Sequence, residues 1–301
     1  MRQRFTGCGT ALVTPFTRDL AVDEAAVSRL ARRQIEAGIH FLVPCGTTGE
    51  SPTLSEDERA RVVELVAAEA RGKVPVLAGA GGYDTKEVIH AGRRMQQAGA
   101  DGLLSVTPYY NKPTPEGLYQ HYRAIADAVP LPIIVYNVPG RTGCNVDPAT
   151  LARLATIPNV VGVKEASGNM TQMCEVCRAV PEDFIVLSGD DVLTLPLMAV
   201  GGRGIISVAS NEVPTQMSRM VEEAERGDFG AARRIHNELQ PLMMINFIES
   251  NPIPVKTAMA TMGLLEEVYR LPMVAARQDS RTKIQAVLQS LKLVEPAPAR
   301  R

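Results

Sequence analysis

The stretch Val160-Val161-Gly162-Val163-Lys164-Glu165-Ala166 has the short, apolar and β-branched composition of a buried strand. Seven other runs of this kind occur in the chain, and amphipathic segments separate most of them. The eight strands are predicted over residues 10–16, 41–45, 74–79, 102–107, 133–137, 160–165, 184–188 and 204–208. Helices are predicted between them over residues 23–37, 55–70, 85–98, 114–128, 147–155 and 170–180, most of which open with Ser, Thr, Asp or Pro.

This alternation predicts parallel strands joined by right-handed crossovers. Eight such units within about 210 residues have the size of a (β/α)8 TIM barrel, an α/β fold. A doubly wound sheet is the alternative architecture, but its first strand usually leads into a glycine-rich turn. This chain has Thr14-Pro15-Phe16-Thr17 at that place, so the barrel is favoured.

The strand pattern stops after Ser210, and helices are predicted over residues 214–226, 229–247, 254–262 and 273–293. We therefore divide the chain into a catalytic barrel over residues 1–226 and a C-terminal helical appendage over residues 227–293. The tail over residues 294–301 is expected to be disordered.

Lys164 is unusual within its strand. Burying an ammonium group costs several kcal/mol unless the group is paired or loses its proton, and a neutral amine is a nucleophile. Because side chains alternate along a strand, Lys164 should share a face with Gly162 and Ala166, opposite Val161 and Val163. Small residues beside the amine leave room for a small molecule. The alternative is a lysine at a strand end that reaches solvent or pairs with a carboxylate.

The composition excludes several classes of function. The chain has 301 residues and a net charge of -1, so it lacks the basic surface that nucleic acid or an acidic membrane requires. No window approaches about 18 uninterrupted apolar residues, and the N-terminus lacks an apolar targeting segment, which predicts a cytoplasmic protein. Five cysteines and four histidines show no disulfide framework or metal-ligand spacing, and the pair Cys174 and Cys177 falls within a predicted helix. We expect no metal site.

Polar motifs follow several of the strands, at the end where barrels place their active sites. The second strand leads into Gly46-Thr47-Thr48-Gly49-Glu50, whose hydroxyl and backbone donors suit a carboxylate. The fourth leads into Thr107-Pro108-Tyr109-Tyr110-Asn111, and the fifth ends in Tyr136-Asn137-Val138-Pro139-Gly140-Arg141-Thr142-Gly143. Phenols can transfer protons, and a guanidinium can bind a carboxylate bidentately. Each motif alone is also typical of ordinary turns, but together they place hydroxyl groups around Lys164.

These motifs resemble those of the dihydrodipicolinate synthase family, within the N-acetylneuraminate lyase superfamily of class I aldolase-like barrels. The resemblance runs from about Phe5 to about Leu293 and also includes Gly162-Val163-Lys164-Glu165-Ala166, Ser188-Gly189-Asp190 and Asn251-Pro252-Ile253-Pro254-Val255-Lys256. It implies a lyase of lysine and diaminopimelate biosynthesis that condenses pyruvate with L-aspartate 4-semialdehyde to give 4-hydroxy-tetrahydrodipicolinate. No cofactor is implied beyond the covalent Schiff base.

The resemblance also implies a role for individual residues. Lys164 would attack the keto carbon of pyruvate and form the Schiff base. Thr47, Tyr136 and Tyr110 would relay protons, with Tyr110 reaching the site of a neighbouring subunit in a homotetramer built as a dimer of dimers. Pyruvate would be held by Thr48 and by the backbone near Ile206 and Gly189.

Arg141 separates the alternatives within the superfamily. The resemblance implies that its guanidinium binds the carboxylate of the semialdehyde at the entrance of the site. Relatives that cleave N-acetylneuraminate or 2-keto-3-deoxy sugar acids share the lysine and the tyrosine but generally lack the Arg141-Thr142-Gly143 continuation. Such an aldolase is the alternative function. A non-catalytic ligand-binding barrel is a further one, against which the complete set of lysine, tyrosine and threonine argues.

Arg59 and Tyr83 depart from the pattern of the lysine-inhibited members of the family. Many of those members carry His or Glu at the first position and Asn at the second, in an effector site near the dimer interface. A guanidinium would repel the amino group of lysine, and a bulky ring would narrow the site. We expect weak or absent inhibition by L-lysine. A steep fall of activity at sub-millimolar L-lysine would contradict this.

Overall fold

Eight parallel strands form a closed barrel in the computed structural model, which describes residues 2–295. The strands are β1 Gly7–Ala11, β2 Phe41–Val43, β3 Leu77–Gly79, β4 Gly102–Val106, β5 Ile133–Asn137, β6 Val160–Glu165, β7 Ile185–Ser188 and β8 Gly204–Ser207. Their order in the sheet is β2-β1-β8-β7-β6-β5-β4-β3. The barrel closes between β2 and β3 through a bridge between Leu42 and Val76 and a hydrogen bond of 2.9 Å from the Gly79 N–H to the Pro44 carbonyl.

Helices connect the strands and cover the outside of the barrel. They are α1 Glu24–Glu36, α2 Glu56–Ala70, α3 Thr85–Gln97, α4 Pro115–Ala128, α5 Pro139–Thr142, α6 Pro148–Leu154, α7 Met170–Ala179, α8 Thr194–Ala199 and α9 Pro214–Glu225. Polar residues begin most of the long ones as expected. Ser55, for example, forms a capping box with Glu58 at the start of α2, which satisfies two backbone donors that the helix leaves free. The predicted (β/α)8 TIM barrel is confirmed.

Three further helices follow the barrel: α10 Phe229–Ile245, α11 Ile253–Thr261 and α12 Gln278–Ser290. α10 packs against α9, and α12 packs against both α10 and α11. The domain division at residues 226 and 227 stays a prediction, and the tail predicted over residues 294–301 lies outside the described residues from residue 296 onward. No helix within residues 2–295 is long and apolar enough to cross a membrane.

The first strand was predicted in the wrong place. β1 begins at Gly7 rather than at Thr10 and ends at Ala11. It contains two glycines, which have low strand propensity, and the one at position 9 is required because a Cβ there would lie 2.1 Å from the Phe41 ring. The apolar residues 12–16 leave the barrel instead, and Val13 packs in a small cluster with Val255 of α11.

Two smaller differences concern helices. α5 and α8, of four and six residues, were not predicted because elements this short carry too few turns to show a period. The final helix was predicted from residue 273 but begins at Gln278. The Arg277 N–H donates to Glu249 at 3.0 Å just before the helix, and Pro272 and Met273 line a cavity instead of extending the helix.

One hydrophobic cluster fills the inside of the barrel, and another lies between the outside of the barrel and the helices. The inner cluster draws on the strands and on Phe5, whereas the outer one also includes the inward faces of the helices. The expected alternation along β6 is wrong at one point, because Val161 packs in the inner cluster while Val163 packs in the outer one. A register shift between β5 and β6 at Ile133 and Ile134 is the reason, since one extra residue reverses the faces.

Candidate active site

A cavity of about 320 Å³ opens at the C-terminal ends of the strands. It brings together three residues that the sequence placed at the ends of two strands: Thr47 after β2, Tyr136 on β5 and Arg141 on α5, which follows β5. Apolar side chains of β4 and the loop after β5 line part of it, with Pro252, Pro272 and Met273 from the C-terminal region, and Glu50, Arg59 and Asn251 are among its other polar residues. The cavity therefore has apolar walls and a few polar groups, as small-molecule sites do.

Lys164 lies beside Tyr136, which lines this cavity. The two residues are paired in the register of β5 and β6, and the Lys164 Nζ lies 4.2 Å from the centroid of the Tyr136 ring. Lys164 is 5% exposed and Tyr136 is 7% exposed. Tyr136 lines the cavity, whereas Lys164 is not among its lining residues and contacts the Tyr136 ring.

Gly189, after β7, provides the space for the lysine side chain. A Cβ at this position would lie 3.0 Å from the Lys164 Cε and 2.6 Å from the Ala166 Cβ. Its N–H donates to the Glu165 carbonyl at 2.8 Å, which holds the residue against the end of β6. Any larger residue would displace Lys164.

The turn over residues 46–50 is tightly held. The Thr14 hydroxyl donates to the Gly49 carbonyl at 2.7 Å, and the Glu50 N–H donates to the Thr47 carbonyl at 3.1 Å. Thr47 is partly exposed and lines the cavity, while Thr48 is buried outside it. Thr48 accepts a hydrogen bond of 3.0 Å from the Asn251 amide.

Arg141 reaches the cavity from the short helix α5. Its Nη2 donates to the Asn251 carbonyl at 3.4 Å, and its side chain is otherwise exposed. Asn251 therefore contacts both Thr48 and Arg141, and it lines the cavity itself. Asn251 belongs to one of the motifs of the family resemblance, but no role was predicted for it.

A buried ion pair was also missed. The Lys256 Nζ donates to the Glu50 carboxylate at 2.6 Å, with both side chains almost completely excluded from solvent. Burial lowers the pKa of Lys256, and the charge of Glu50 opposes that effect. The sequence does contain one sign that Lys256 is buried. The segment that forms α11 has no distinct polar face, and such a helix is usually buried on all sides.

Five predicted residues do not line the cavity: Lys164, Thr48 and Gly189, described above, and Tyr110 and Ile206. Tyr110, in the loop after β4, is 93% exposed and has a φ of 68° in the left-handed region. Ile206 is completely buried on β8, where it pairs with Gly9 and belongs to the inner cluster. Neither residue lines the cavity.

Buried carboxylates hold the strand ends behind the cavity. Glu165, next to Lys164, accepts hydrogen bonds of 2.8 Å from the Asn137 amide and from the Ser167 N–H. Asp191 accepts from the Ser207 hydroxyl at 2.6 Å, and burial raises its pKa to about 6. These contacts join β5 to β6 and β7 to β8, so the residues above them sit on rigid supports.

A second, smaller cavity of about 180 Å³ borders the first. Arg59 lines both cavities, and Tyr83 lines the second with its ring edge-on to that of Tyr109, at a centroid distance of 5.1 Å. Burial raises the pKa of Tyr109. The expectation that Arg59 and Tyr83 weaken inhibition by lysine stays a prediction. Within residues 2–295, no group of three or more His, Cys, Asp or Glu side chains is placed to hold a metal ion.

Comparison with known proteins accounts for this arrangement. Residues 4–291 match the model of the dihydrodipicolinate synthetase family. The chain belongs to this family.

Relatives with names and structures support this membership over nearly the full length. A 4-hydroxy-tetrahydrodipicolinate synthase of Chloroherpeton thalassium is 54% identical over 295 residues, covering 98% of each chain. The dihydrodipicolinate synthase of Thermotoga maritima is 45% identical, with a TM-score of 0.94, covering 97% of this chain and 100% of its own. The chloride-inhibited dihydrodipicolinate synthase of Acinetobacter baumannii, solved in complex with pyruvate, is 42% identical with a TM-score of 0.94, covering 96% of this chain and 99% of its own.

Proposed function

We propose that the chain condenses pyruvate with L-aspartate 4-semialdehyde, through a Schiff base on Lys164, to give 4-hydroxy-tetrahydrodipicolinate. The observation that carries the proposal is the pairing of Lys164 with Tyr136, whose Nζ-to-ring distance is 4.2 Å at the wall of the cavity. Family membership and the names of the relatives support the choice of substrates. The pyruvate complex of the Acinetobacter baumannii enzyme supports the first of them.

The proposed reaction begins when the Lys164 amine attacks the keto carbon of pyruvate. The resulting carbinolamine loses water and becomes an imine, and the imine then draws electrons from the methyl carbon as that carbon loses a proton. The enamine formed in this way attacks the aldehyde carbon of the semialdehyde, whose oxygen takes up a proton. The substrate's own amino group next attacks the imine carbon, which closes the ring and releases Lys164 as a free amine. Because the imine is the electron sink, the sequence of steps uses no further cofactor.

Each of these steps moves a proton, and we assign that work to Tyr136, Thr47 and Tyr110. Tyr136 is in contact with Lys164, and Thr47 lines the same cavity. Thr48, Gly189 and the backbone near Ile206 are proposed to hold the carboxylate of pyruvate.

Arg141 is assigned to the carboxylate of the semialdehyde. It lines the same cavity as Tyr136, and its guanidinium has donors left after its contact with Asn251. A planar guanidinium can bind a carboxylate through two parallel hydrogen bonds, which would orient the aldehyde toward the enamine.

The proposed assembly is a homotetramer, a dimer of dimers in which Tyr110 enters the site of the adjacent subunit. Its nearly complete exposure in the single chain supports a position at an interface. The five free cysteines support a reducing compartment, the cytoplasm. Analytical ultracentrifugation of the wild type and of Tyr110→Phe, with activity measured on both, tests the assembly and the role of the phenol together.

Borohydride reduction in the presence of pyruvate tests the mechanism directly. We expect a pyruvyl adduct on the peptide that contains Lys164, and none in Lys164→Met. An adduct on another lysine, or no adduct, would refute the mechanism. Turnover of the semialdehyde, compared with that of N-acetylneuraminate and 2-keto-3-deoxygluconate, then tests the substrate.

A further inference from the structure

The turn that carries Thr47 and Thr48 is held by residues from outside the barrel. At its middle, Thr48 accepts a hydrogen bond of 3.0 Å from the Asn251 amide. At its end, Glu50 accepts one of 2.6 Å from the Lys256 Nζ. The six residues 251–256 therefore hydrogen-bond to the turn at two points. These contacts join positions about 200 residues apart in the sequence.

Lys256 is fixed in place because each of its three ammonium protons has an acceptor. The acceptors of the Nζ are the Glu50 carboxylate at 2.6 Å, the Val268 carbonyl at 2.7 Å and the Thr14 carbonyl at 3.1 Å. The Phe16 ring lies 4.4 Å from the same atom. Thr14 in turn bonds to the Gly49 carbonyl through its hydroxyl, so Lys256 reaches the turn by two routes.

Glu50 connects Lys256 to Thr47. Its backbone has a φ of 51°, in the left-handed region that non-glycine residues seldom adopt, and its N–H donates to the Thr47 carbonyl at 3.1 Å. Both Glu50 and Thr47 line the cavity. The second carboxylate oxygen of Glu50 is buried without a hydrogen-bond partner, so the bond to Lys256 is the one that secures the side chain.

We infer that Lys256 and Glu50 are positioning residues for catalysis: the ion pair sets the place of the Thr47 hydroxyl relative to Tyr136. The inference rests on the proposed function, because it assigns the pair to the proton relay of that reaction. A displacement of about 1 Å in a catalytic group can lower a rate by about 100-fold, so the pair should affect the rate through Thr47.

The test uses the double variant Glu50→Gln/Lys256→Met, which removes both charges together and leaves neither one buried alone. We expect kcat for the condensation to fall by about 10- to 100-fold, with a smaller change in KM for pyruvate. Borohydride trapping on Lys164 should remain, because the nucleophile is intact. Glu212→Gln is the matched control: this carboxylate is equally buried, is bonded to Asn246 at 2.6 Å and lies outside the cavity, so kcat should be unchanged.

A double-mutant cycle with Thr47→Val distinguishes positioning from general loosening of the fold. If the pair acts through Thr47, adding Glu50→Gln/Lys256→Met to Thr47→Val costs little further activity. A folded double variant within about two-fold of the wild-type kcat, or a loss that adds fully to that of Thr47→Val, would overturn the inference.

Two further provisions keep the test decisive. If circular dichroism shows that the double variant does not fold, Glu50→Gln alone enters the same cycle, with the same outcomes deciding. A wild type that forms no adduct with pyruvate would refute the proposed function instead.

Discussion

The chain buries two lysines near one cavity, and their surroundings are opposite. Lys256 is fully buried and Lys164 is 5% exposed, and each Nζ lies within 4.4 Å of an aromatic centroid. Lys256 bonds to a carboxylate and two carbonyls, whereas none of the ion pairs among residues 2–295 includes Lys164. Burial alone therefore does not mark a lysine as reactive. The protons of Lys256 are all accepted, which is typical of a structural lysine, whereas Lys164 lies against the Tyr136 ring and is the nucleophile that we propose.

The largest effect is expected from Lys164→Met. Since the proposed mechanism has no substitute for the amine, kcat should fall by on the order of 10³-fold or more. The variant should unfold at nearly the wild-type temperature, because no carboxylate loses its partner. Steady-state kinetics and thermal melts check both halves. Activity close to that of the wild type would place the nucleophile elsewhere.

Lys256→Met, unlike Lys164→Met, should lower the stability of the fold strongly. Removing the ammonium leaves the Glu50 carboxylate buried and unpaired, which should lower the free energy of unfolding by about 3–5 kcal/mol. Adding Glu50→Gln should recover much of that loss. Urea denaturation of the single and double variants measures it. A single variant as stable as the wild type would mean that Glu50 is readily protonated or hydrated.

Tyr136→Phe sharpens the comparison by changing only the group beside the reactive lysine. The ring that contacts Lys164 remains, but the hydroxyl proposed to relay protons is lost, so kcat should fall by about 100-fold. Stability should change by less than about 1 kcal/mol, because the packing is conserved. Pre-steady-state trapping with pyruvate shows whether imine formation is the step that slows. An unchanged rate would remove Tyr136 from the relay.

The smallest effect is expected from Glu58→Gln, which removes the charge that pairs with Arg270. Arg270 contacts the same Phe16 ring as Lys256. Arg270 lies 4.5 Å from the Phe16 centroid and pairs with Glu58, which lowers the pKa of that carboxyl to about 2. The folded-state pKa lies below the unfolded one, so the stabilisation is present above about pH 4.5 and is lost as the pH falls toward 2.

Because the pair is partly exposed, Glu58→Gln should cost only about 1 kcal/mol at neutral pH, and the difference from the wild type should shrink as the pH is lowered from about 5 to about 3. Thermal melts across this range provide the measurement. A cost that does not depend on pH would indicate lost packing rather than lost charge.

Most of the fold was predictable because strand and helix periods are local properties. β5 and β6 were predicted with the bounds that the structure has. β1 was misplaced because its identity depends on Phe41 of another strand, which occupies the space that a side chain at position 9 would need. Such a tertiary contact overrides local propensity and leaves no trace in the residues around it.

The site residues also divide into those that local sequence indicates and those that depend on distant contacts. Thr47, Tyr136 and Arg141 were predicted because each lies at or just after the C-terminal end of a strand, and the topology brings those ends together. Asn251 and Lys256 could not be assigned from the sequence, because their partners Thr48 and Glu50 lie about 200 positions away. Tyr110 is 93% exposed and does not line the cavity of the single chain, so its role in the relay stays a prediction.

The closure of the barrel between β2 and β3 has a consequence for how the cavity moves. These are its shortest strands, three residues each, and Gly79 comes so close to the Cys45 carbonyl that a Cβ there would lie 2.0 Å from it. Cys45 and Gly79 also line the cavity. The cavity thus adjoins the short junction between β2 and β3, where we expect local opening to cost less than along the longer pairing of β5 with β6. Transient separation of β2 from β3 would widen the pocket beside Thr47 while the strands that carry Tyr136 and Lys164 stay paired.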